Sequence, residues 1–374
     1  MVSRKLTVLQ VLPELNGGGV ELETLDVAKF LAESGCRSIV ISAGGRMVAQ
    51  LGADGSEHVA WSVGKKSLWT LRLIWQLRKF LIEQKVDIIH ARSRLPAWIA
   101  YLAWRGMDVK ARPRFVTTVH GAYSPSRYSA VMVKGERVIA ISQTIQSYII
   151  KNYPDVVLDN IRFIYRGIDE ARFFYGYQPS VQWLESWRSQ YPQLINKTVL
   201  TLPGRISRRK GLEDFIKLIA GLKKAGASVH GLVVGEAHPH KQEFLHGLHR
   251  LVKDLELECE ITFIGHRADV REVIASSNIV CSLSTEPEAF GRTTIEALSL
   301  GVPVVGYDIG GVGEQLAILL PEGRVPLGDV VALQNVVMQW IRHAPVVPKE
   351  HQFLLNNMLQ KTMAVYQELT SAHE

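Results

Sequence analysis

The sequence predicts an α/β protein made of two successive doubly wound domains that face one another across a cleft. Three observations predict it. Short, continuously apolar, β-rich runs alternate with segments of helical period; the alternation pauses once near the middle; and a second series of similar size then begins. Continuous apolar character marks strands covered on both faces, as in a parallel sheet with helices on either side. A chain of 374 residues, 47% hydrophobic and 21% charged, holds enough apolar material for two cores.

In the first half the strand candidates are residues 6–12, 37–42, 86–91, 114–120, 137–142 and 160–165, with a helical period over 20–34. The pattern stops over 166–196, where Gly167, Gly176, Pro179 and Pro192 interrupt it and only 180–190 reads as a short helix. The second series has strands at 198–203, 228–234, 260–265, 278–284 and 302–307, with helices at 211–226, 240–256, 291–300 and 328–343. This divides the chain into a first domain (1–170), a linker (171–196), a second domain (197–348) and a C-terminal helix (349–374) that packs back on the first domain in one reading.

No run approaches the roughly 18 to 20 unbroken apolar residues of a membrane-spanning helix. The N-terminal apolar run is short and broken by Gln10, Pro13 and Glu14, and reads as a buried strand rather than a signal peptide. Cys36, Cys259 and Cys281 are far apart and lack metal-ligand spacing, which points to reduced thiols and a cytoplasmic location. Residues 1–170 carry 23 Lys and Arg against 15 Asp and Glu, whereas the remainder is nearly balanced. A basic first half suits either an anionic partner or a solvated surface. No nucleic-acid-binding motif accompanies it.

In doubly wound sheets ligands sit beyond the carboxyl ends of the strands, so the loops there hold the candidate residues. Gly17, Gly18 and Gly19 follow the first strand at the start of a helix, where amides approach a ligand closely or a tight turn needs glycine. His90 and His120 end two strands, and His120, followed by Gly121, is the stronger site candidate. Arg205 follows the strand 198–203, and Lys210 precedes Gly211 at a helix start; the two cations suit a diphosphate. Arg208 and Arg209, between them, read as loop charges. Glu288 and Glu296 flank Phe290-Gly291, and a carboxylate there accepts hydrogen bonds from a vicinal diol. Gly310-Gly311, after another strand, offers amides to an anion.

Taken in order, these motifs are similar to those of the GT-B glycosyltransferases, and among them glycosyltransferase family 4, a group of retaining enzymes. Gly204, Arg205, Lys210 and Gly211 match G-R-x-x-x-x-K-G; Glu288, Phe290, Gly291, Glu296 and Ala297 match E-x-F-G-x-x-x-x-E-A; Gly301, Pro303 and Val304, then Gly310, Gly311 and Glu314, complete the pattern. Gly18-Gly19-Val20-Glu21 and His120-Gly121 match in the first half. Two places depart from it. Arg166-Gly167-Ile168-Asp169 replaces Asn-Gly-x-Asp at the domain junction, and His90-Ala91-Arg92-Ser93 lacks a second His.

The resemblance implies two Rossmann-like domains and transfer of a sugar, with retention, from a nucleotide-diphosphate sugar (a UDP-sugar is expected) to a hydroxyl of a glycan or glycolipid, as in bacterial lipopolysaccharide or other cell-surface polysaccharide synthesis. By it Arg205 and Lys210 bind the diphosphate, Glu296 the ribose, and Glu288 with the Phe290 and Gly291 amides the donor sugar. His120 lies beside the anomeric carbon, Gly18 and Gly19 near the phosphates and acceptor, and the base near Gly265, His266 and Arg267. No cofactor is expected. No DxD-type carboxylate cluster is present in the sequence, so no metal is expected either. Competing classes are a nucleotide-sugar 2-epimerase and a non-catalytic subunit of the same fold. Residues 65–84 and 97–106 set Trp69, Trp75, Trp98 and Trp104 among basic residues, which suits peripheral binding to an anionic membrane face or, alternatively, packing against the sheet.

Overall fold

The computed structural model describes residues 5–371; the outermost residues of the expected first domain and C-terminal helix, 1–4 and 372–374, lie outside the described residues. In the first half the elements are β1 (Thr7–Val11), α1 (Gly19–Glu33), β2 (Arg37–Ser42), α2 (Val48–Ala53), β3 (Glu57–Ala60), α3 (Arg72–Glu83), β4 (Ile88–Ala91), α4 (Arg94–Arg105), β5 (Arg114–Val119), β6 (Arg137–Ala140), α5 (Gln143–Asn152) and β7 (Ile161–Phe163). There follow α6 (Val181–Gln190), β8 (Thr198–Pro203), α7 (Leu212–Lys224), β9 (Val229–Val234), α8 (Gln242–Asp254), β10 (Ile261–Phe263), α9 (Val270–Ala275), β11 (Ile279–Ser282), α10 (Arg292–Ser299), β12 (Val304–Tyr307), α11 (Gly310–Leu319), β13 (Arg324–Val325), α12 (Val330–Arg342) and α13 (Leu355–Ser371).

The strands form two parallel sheets, ordered β3-β2-β1-β4-β5-β6-β7 and β10-β9-β8-β11-β12-β13. Each starts at an inner strand, winds outward to one edge, then returns and winds to the other. This is the Rossmann-like order, with switch points between β1 and β4 and between β8 and β11. Burial explains the apolar runs: all five residues of β1 and all six of β9 are buried. Helices cover the sheets with one face each. In α7, Leu212, Phe215, Ile216, Leu218, Ile219 and Leu222 are buried, at the i, i+3, i+4 spacing of an amphipathic helix.

The chain folds as two compact units. One holds the described residues up to Arg166 together with those from Asn356 onward, and the other is Gly167–Leu355. The segment 171–196, expected to be a linker, is packed into the second unit. Trp187 and Leu194 share a core cluster with Val199, Leu232, Val234 and Val273, and Trp183 stacks on Trp187 at 4.9 Å. Its aromatic residues give it a core to join, which Gly and Pro counting does not register. The short strands β3 and β13, at or near sheet edges, were not expected from the sequence; with four and two residues they carry little periodicity.

The C-terminal helix belongs to the first unit. Tyr366 of α13 is fully buried and its hydroxyl shares a 2.6 Å hydrogen bond with His90 Nδ1. Glu368 accepts from Arg137, at 2.6 Å, and from Arg162. These hydrogen bonds, from Arg162 first and then Arg137, hold the Glu368 carboxyl at about 2 against an ordinary 4.5. Its contribution is complete above pH 4.5 and is lost as pH falls toward 2. In E368Q, urea unfolding at pH 6 is expected to show a loss of ~0.5–1 kcal/mol, screened by solvent, with wild type and variant converging near pH 2.

Candidate functional site

The second unit gathers most of the expected residues at the carboxyl ends of β8 and β11. Arg205 follows β8, is exposed, and forms no ion pair among the described residues. Lys210 lies in a single 3-10 turn before α7 and folds back over the same strand end: a methyl group on Gly204 would sit 3.3 Å from its Cε. Two positive side chains therefore flank the Gly204 turn. Lys210 Nζ donates to Glu288 Oε1 at 2.6 Å, and Ser284 Oγ donates to the same oxygen. Burial raises the Glu288 pKa, but Lys210, the Ser284 hydrogen bond and Arg209 together hold it below its ordinary value. Glu288 is thus an ionised carboxylate neutralised by an ammonium.

Two glycine positions hold this loop system together. Gly211 caps α7 with φ 66°, and a Cβ there would collide with the carbonyl oxygen of Leu283. At the start of α11, a Cβ on Gly310 would lie 2.7 Å from the backbone of Glu288, and one on Gly311 would collide with Phe290 O. The Gly311 amide donates to Glu288 O at 2.8 Å, and Gln315 Nε2 donates to Phe290 O at 2.5 Å. The Gly310-Gly311 pair was expected to offer amides to an anion. Instead the Gly311 amide is engaged, and the small residues let α11 press against the 288–290 loop. Phe290 is buried and lies edge-to-face with Phe353 at 6.0 Å, while Gly291, at φ 80°, opens α10.

Glu296 projects from the second turn of α10 with its side chain one-tenth exposed, and accepts from Arg292 Nη2 at 3.0 Å. With Arg205, His266 and Arg267 it lines a cavity of 730 Å³. Arg267 is tied down: its guanidinium donates twice to Asp269, at 2.8 and 2.6 Å, and lies 5.5 Å over the Trp187 ring. Lys210, Glu288, Phe290 and Gly291 are not among its lining residues, although Lys210 reaches Gly204, which is. Sequence reasoning missed Arg172, Phe173, Glu236, His238, Arg271 and Arg292 on its wall. Glu236 and His238 follow β9, so the strand-end rule covers them; Arg172 and Phe173 fell in the supposed linker.

In the first unit, Gly18 precedes α1 in extended backbone and Gly19 is its first residue. A Cβ on Gly19 would meet Arg166 Nη1 at 2.7 Å, so only the missing side chain lets the guanidinium approach this point. His120 follows β5 with its side chain 3% exposed, and neither ring nitrogen has a hydrogen-bond partner among the described residues. Burial, foremost, lowers its pKa to about 3, so the ring is neutral. His90 differs in kind. It lies inside β4, with Nδ1 bonded to Tyr366 and Nε2 to Thr118 Oγ1, both at 2.6 Å, and is a core hydrogen-bonding residue.

Two Rossmann-like units with cations and carboxylates at the strand ends define a class of α/β proteins whose ligands sit beyond the carboxyl ends of their strands. The model for Glycosyltransferase Family 4 matches residues 17–172, and that for Glycosyl transferases group 1 matches residues 185–318. A glycosyltransferase from Rickettsia africae ESF-5, known from its crystal structure, is 29% identical, with 98% of this chain and 99% of that one covered and a TM-score of 0.86. Anabaena Alr3699/HepE, solved with UDP and glucose, shares the fold at 23% identity, coverage of 98% and 97%, and a TM-score of 0.74. N-acetyl-alpha-D-glucosaminyl L-malate synthase of Bacillus anthracis is 26% identical over 68% of this chain and 65% of its own length. Alpha-maltose-1-phosphate synthase of Mycolicibacterium smegmatis is 24% identical over 58% and 54%. The match therefore spans less than two thirds of these curated relatives' length. The chain belongs to the GT-B glycosyltransferases of the family 4 type.

Gly211→Ala is expected to cost about 1–3 kcal/mol, because it forces a left-handed conformation and a backbone collision. Thermal unfolding checks this, and an unchanged Tm would contradict the geometry around Leu283.

Proposed function

We propose that the chain transfers a sugar from a nucleotide-diphosphate sugar to a hydroxyl of a glycan or glycolipid, with retention of configuration and without a metal. The observation that carries this is Arg205, which has no ion pair among the described residues, on a 730 Å³ cavity that also presents the Glu296 carboxylate, with Lys210 at the same strand end. Breaking the sugar–phosphate bond places negative charge on the departing diphosphate, and fixed cations there lower the barrier. Arg205 supplies a two-pronged donor and Lys210 a point charge. Glu296 offers acceptor oxygens for the ribose diol. Binding of UDP and UDP-glucose by Alr3699/HepE supports a nucleotide donor, with a UDP-sugar expected.

Retention follows from a reaction on one face of the sugar. The acceptor oxygen bonds to the anomeric carbon, the bond to the phosphate oxygen breaks, and the acceptor proton passes to that departing oxygen. The alternative, a double displacement, needs a free carboxylate nucleophile. Glu288 is committed to Lys210 and Ser284, which favours the one-face route.

Arg205→Ala is expected to lower kcat on the order of a hundredfold with the fold intact; near-normal turnover in the folded variant would count against the assignment. In a thermal-shift series with UDP, GDP and ADP, the cognate nucleotide raises Tm by mass action. Glu296→Ala is expected to shrink that shift and weaken nucleotide binding, and an unchanged dissociation constant would remove its role.

We further infer that the acceptor is a cell-surface glycolipid, such as growing lipopolysaccharide, met at an anionic membrane face. No helix among the described residues is long and apolar enough to cross a membrane. On and beside α3, Ile74, Leu77 and Leu81 face the core, while Trp69 (68% exposed) and Trp75 (64%) stand in solvent, with Arg72 4.0 Å over the Trp69 ring. Large exposed aromatics beside basic residues suit a lipid interface. In the second tryptophan segment, Trp104 is buried and donates to Pro113 O, as the packing alternative expected, while Trp98 is half-buried and donates to Tyr128 O. Co-sedimentation with anionic liposomes is expected at low salt and lost at high salt, with Trp75→Ala several-fold weaker. No binding at low salt would refute this part.

A further inference from the structure

The two places where the sequence departs from the family pattern converge in space. Arg92, directly after β4, has a fully buried side chain; its Nε donates to Gln10 Oε1 at 2.7 Å and its Nη1 to Glu23 Oε1 at 2.9 Å. Arg166, beyond β7, brings its Nε to 3.1 Å from Glu23 Oε2. His120 Nδ1 lies 3.7 Å from that same oxygen. A single buried carboxylate on α1 is therefore faced by two guanidiniums and one imidazole, drawn from the ends of three strands. Gln10, itself inaccessible, is held by its own Nε2–H bond to Thr24 O, which fixes the assembly to the sheet and to α1.

We propose that Glu23 is a positioning residue that sets the ring orientation and tautomer of His120, with Arg92 and Arg166 holding the carboxylate in place. The argument is one of polarity. Both guanidiniums donate only, so Glu23 stays ionised and cannot donate to His120. A neutral imidazole facing a carboxylate places its proton on the near nitrogen, here Nδ1, and leaves Nε2 as the acceptor. Removing Arg92 or Arg166 would free the carboxylate to rotate; removing Glu23 would set two buried cations against each other and against the ring. The charge states agree: burial raises the Glu23 pKa, but the guanidiniums of Arg166 and Arg92 keep the carboxyl ionised beside a neutral His120. This inference rests on the transferase reading for what His120 does, and on geometry alone for how His120 is held.

The test is nitrogen-15 histidine NMR on the whole protein without substrate, the His120 signals being assigned by their loss in His120→Gln. Wild type is expected to show a neutral ring protonated at Nδ1 from pH 5 to 8. A ring protonated at Nε2, or one titrating near 6.5, overturns the proposal and requires no Glu23 variant to fold. In E23Q, which keeps the volume and an acceptor for Arg92, the Nδ1 preference is expected to weaken. Its kcat should fall about tenfold or more while the donor dissociation constant stays within about twofold. In E23Q/H120Q the loss should be no greater than in H120Q alone, because the first residue acts through the second. Additive losses, or an unchanged tautomer in folded E23Q, overturn it. Absence of turnover in wild type would bring down the transferase reading and leave the tautomer result standing.

Discussion

Both sheets are wholly parallel, and most of the structure follows from that constraint. Parallel strands need a crossover for every pair, so helices cover both faces and the strands become almost entirely apolar. Polar side chains are then expelled to the strand ends. At the switch points, where neighbouring connections leave in opposite directions, a gap opens between loops. Arg205 and Glu288 occupy the loops after β8 and β11, and the Gly17–Gly19 turn and Arg92 those after β1 and β4. The chemistry lies where the sheet geometry leaves room for it.

Within the second unit, charge is arranged in opposed pairs. Lys210 with Glu288, Arg292 with Glu296 and Arg267 with Asp269 are each joined at 3.0 Å or less, whereas Arg205 stands without an ion pair among the described residues. Paired charges are fixed in direction by their partners. The close approach of α11 to the 288–290 loop, which only glycine at 310 and 311 permits, holds Glu288 at the distance Lys210 requires.

The first unit uses the same devices around a different group. One carboxylate, Glu23, is shared by Arg92 and Arg166 and faces a buried, neutral His120. The burial that would make such a cluster costly is offset because each cation has an anion or an amide oxygen to face. The α13 helix returns to this unit and binds His90, which removes that histidine from consideration as a free group.

The sequence by itself determined the two-fold α/β series, most strand positions and the family motifs, because apolar continuity and glycine spacing are local properties of the chain. It also singled out Arg205, Lys210, Glu288 and Glu296, whose residue types and positions after strands or in the first turns of the following helices carry the signal. Only the tertiary structure decided what each side chain touches. That His90 serves the core while the His120 ring has no hydrogen-bond partner among the described residues, that the Gly311 amide is spent on Glu288 O, that 171–196 joins the second core, and that Arg92 and Arg166 meet at Glu23 all depend on contacts between residues far apart in sequence. Those contacts are fixed by how helices and loops pack against a twisted sheet, and no pattern within one segment encodes them.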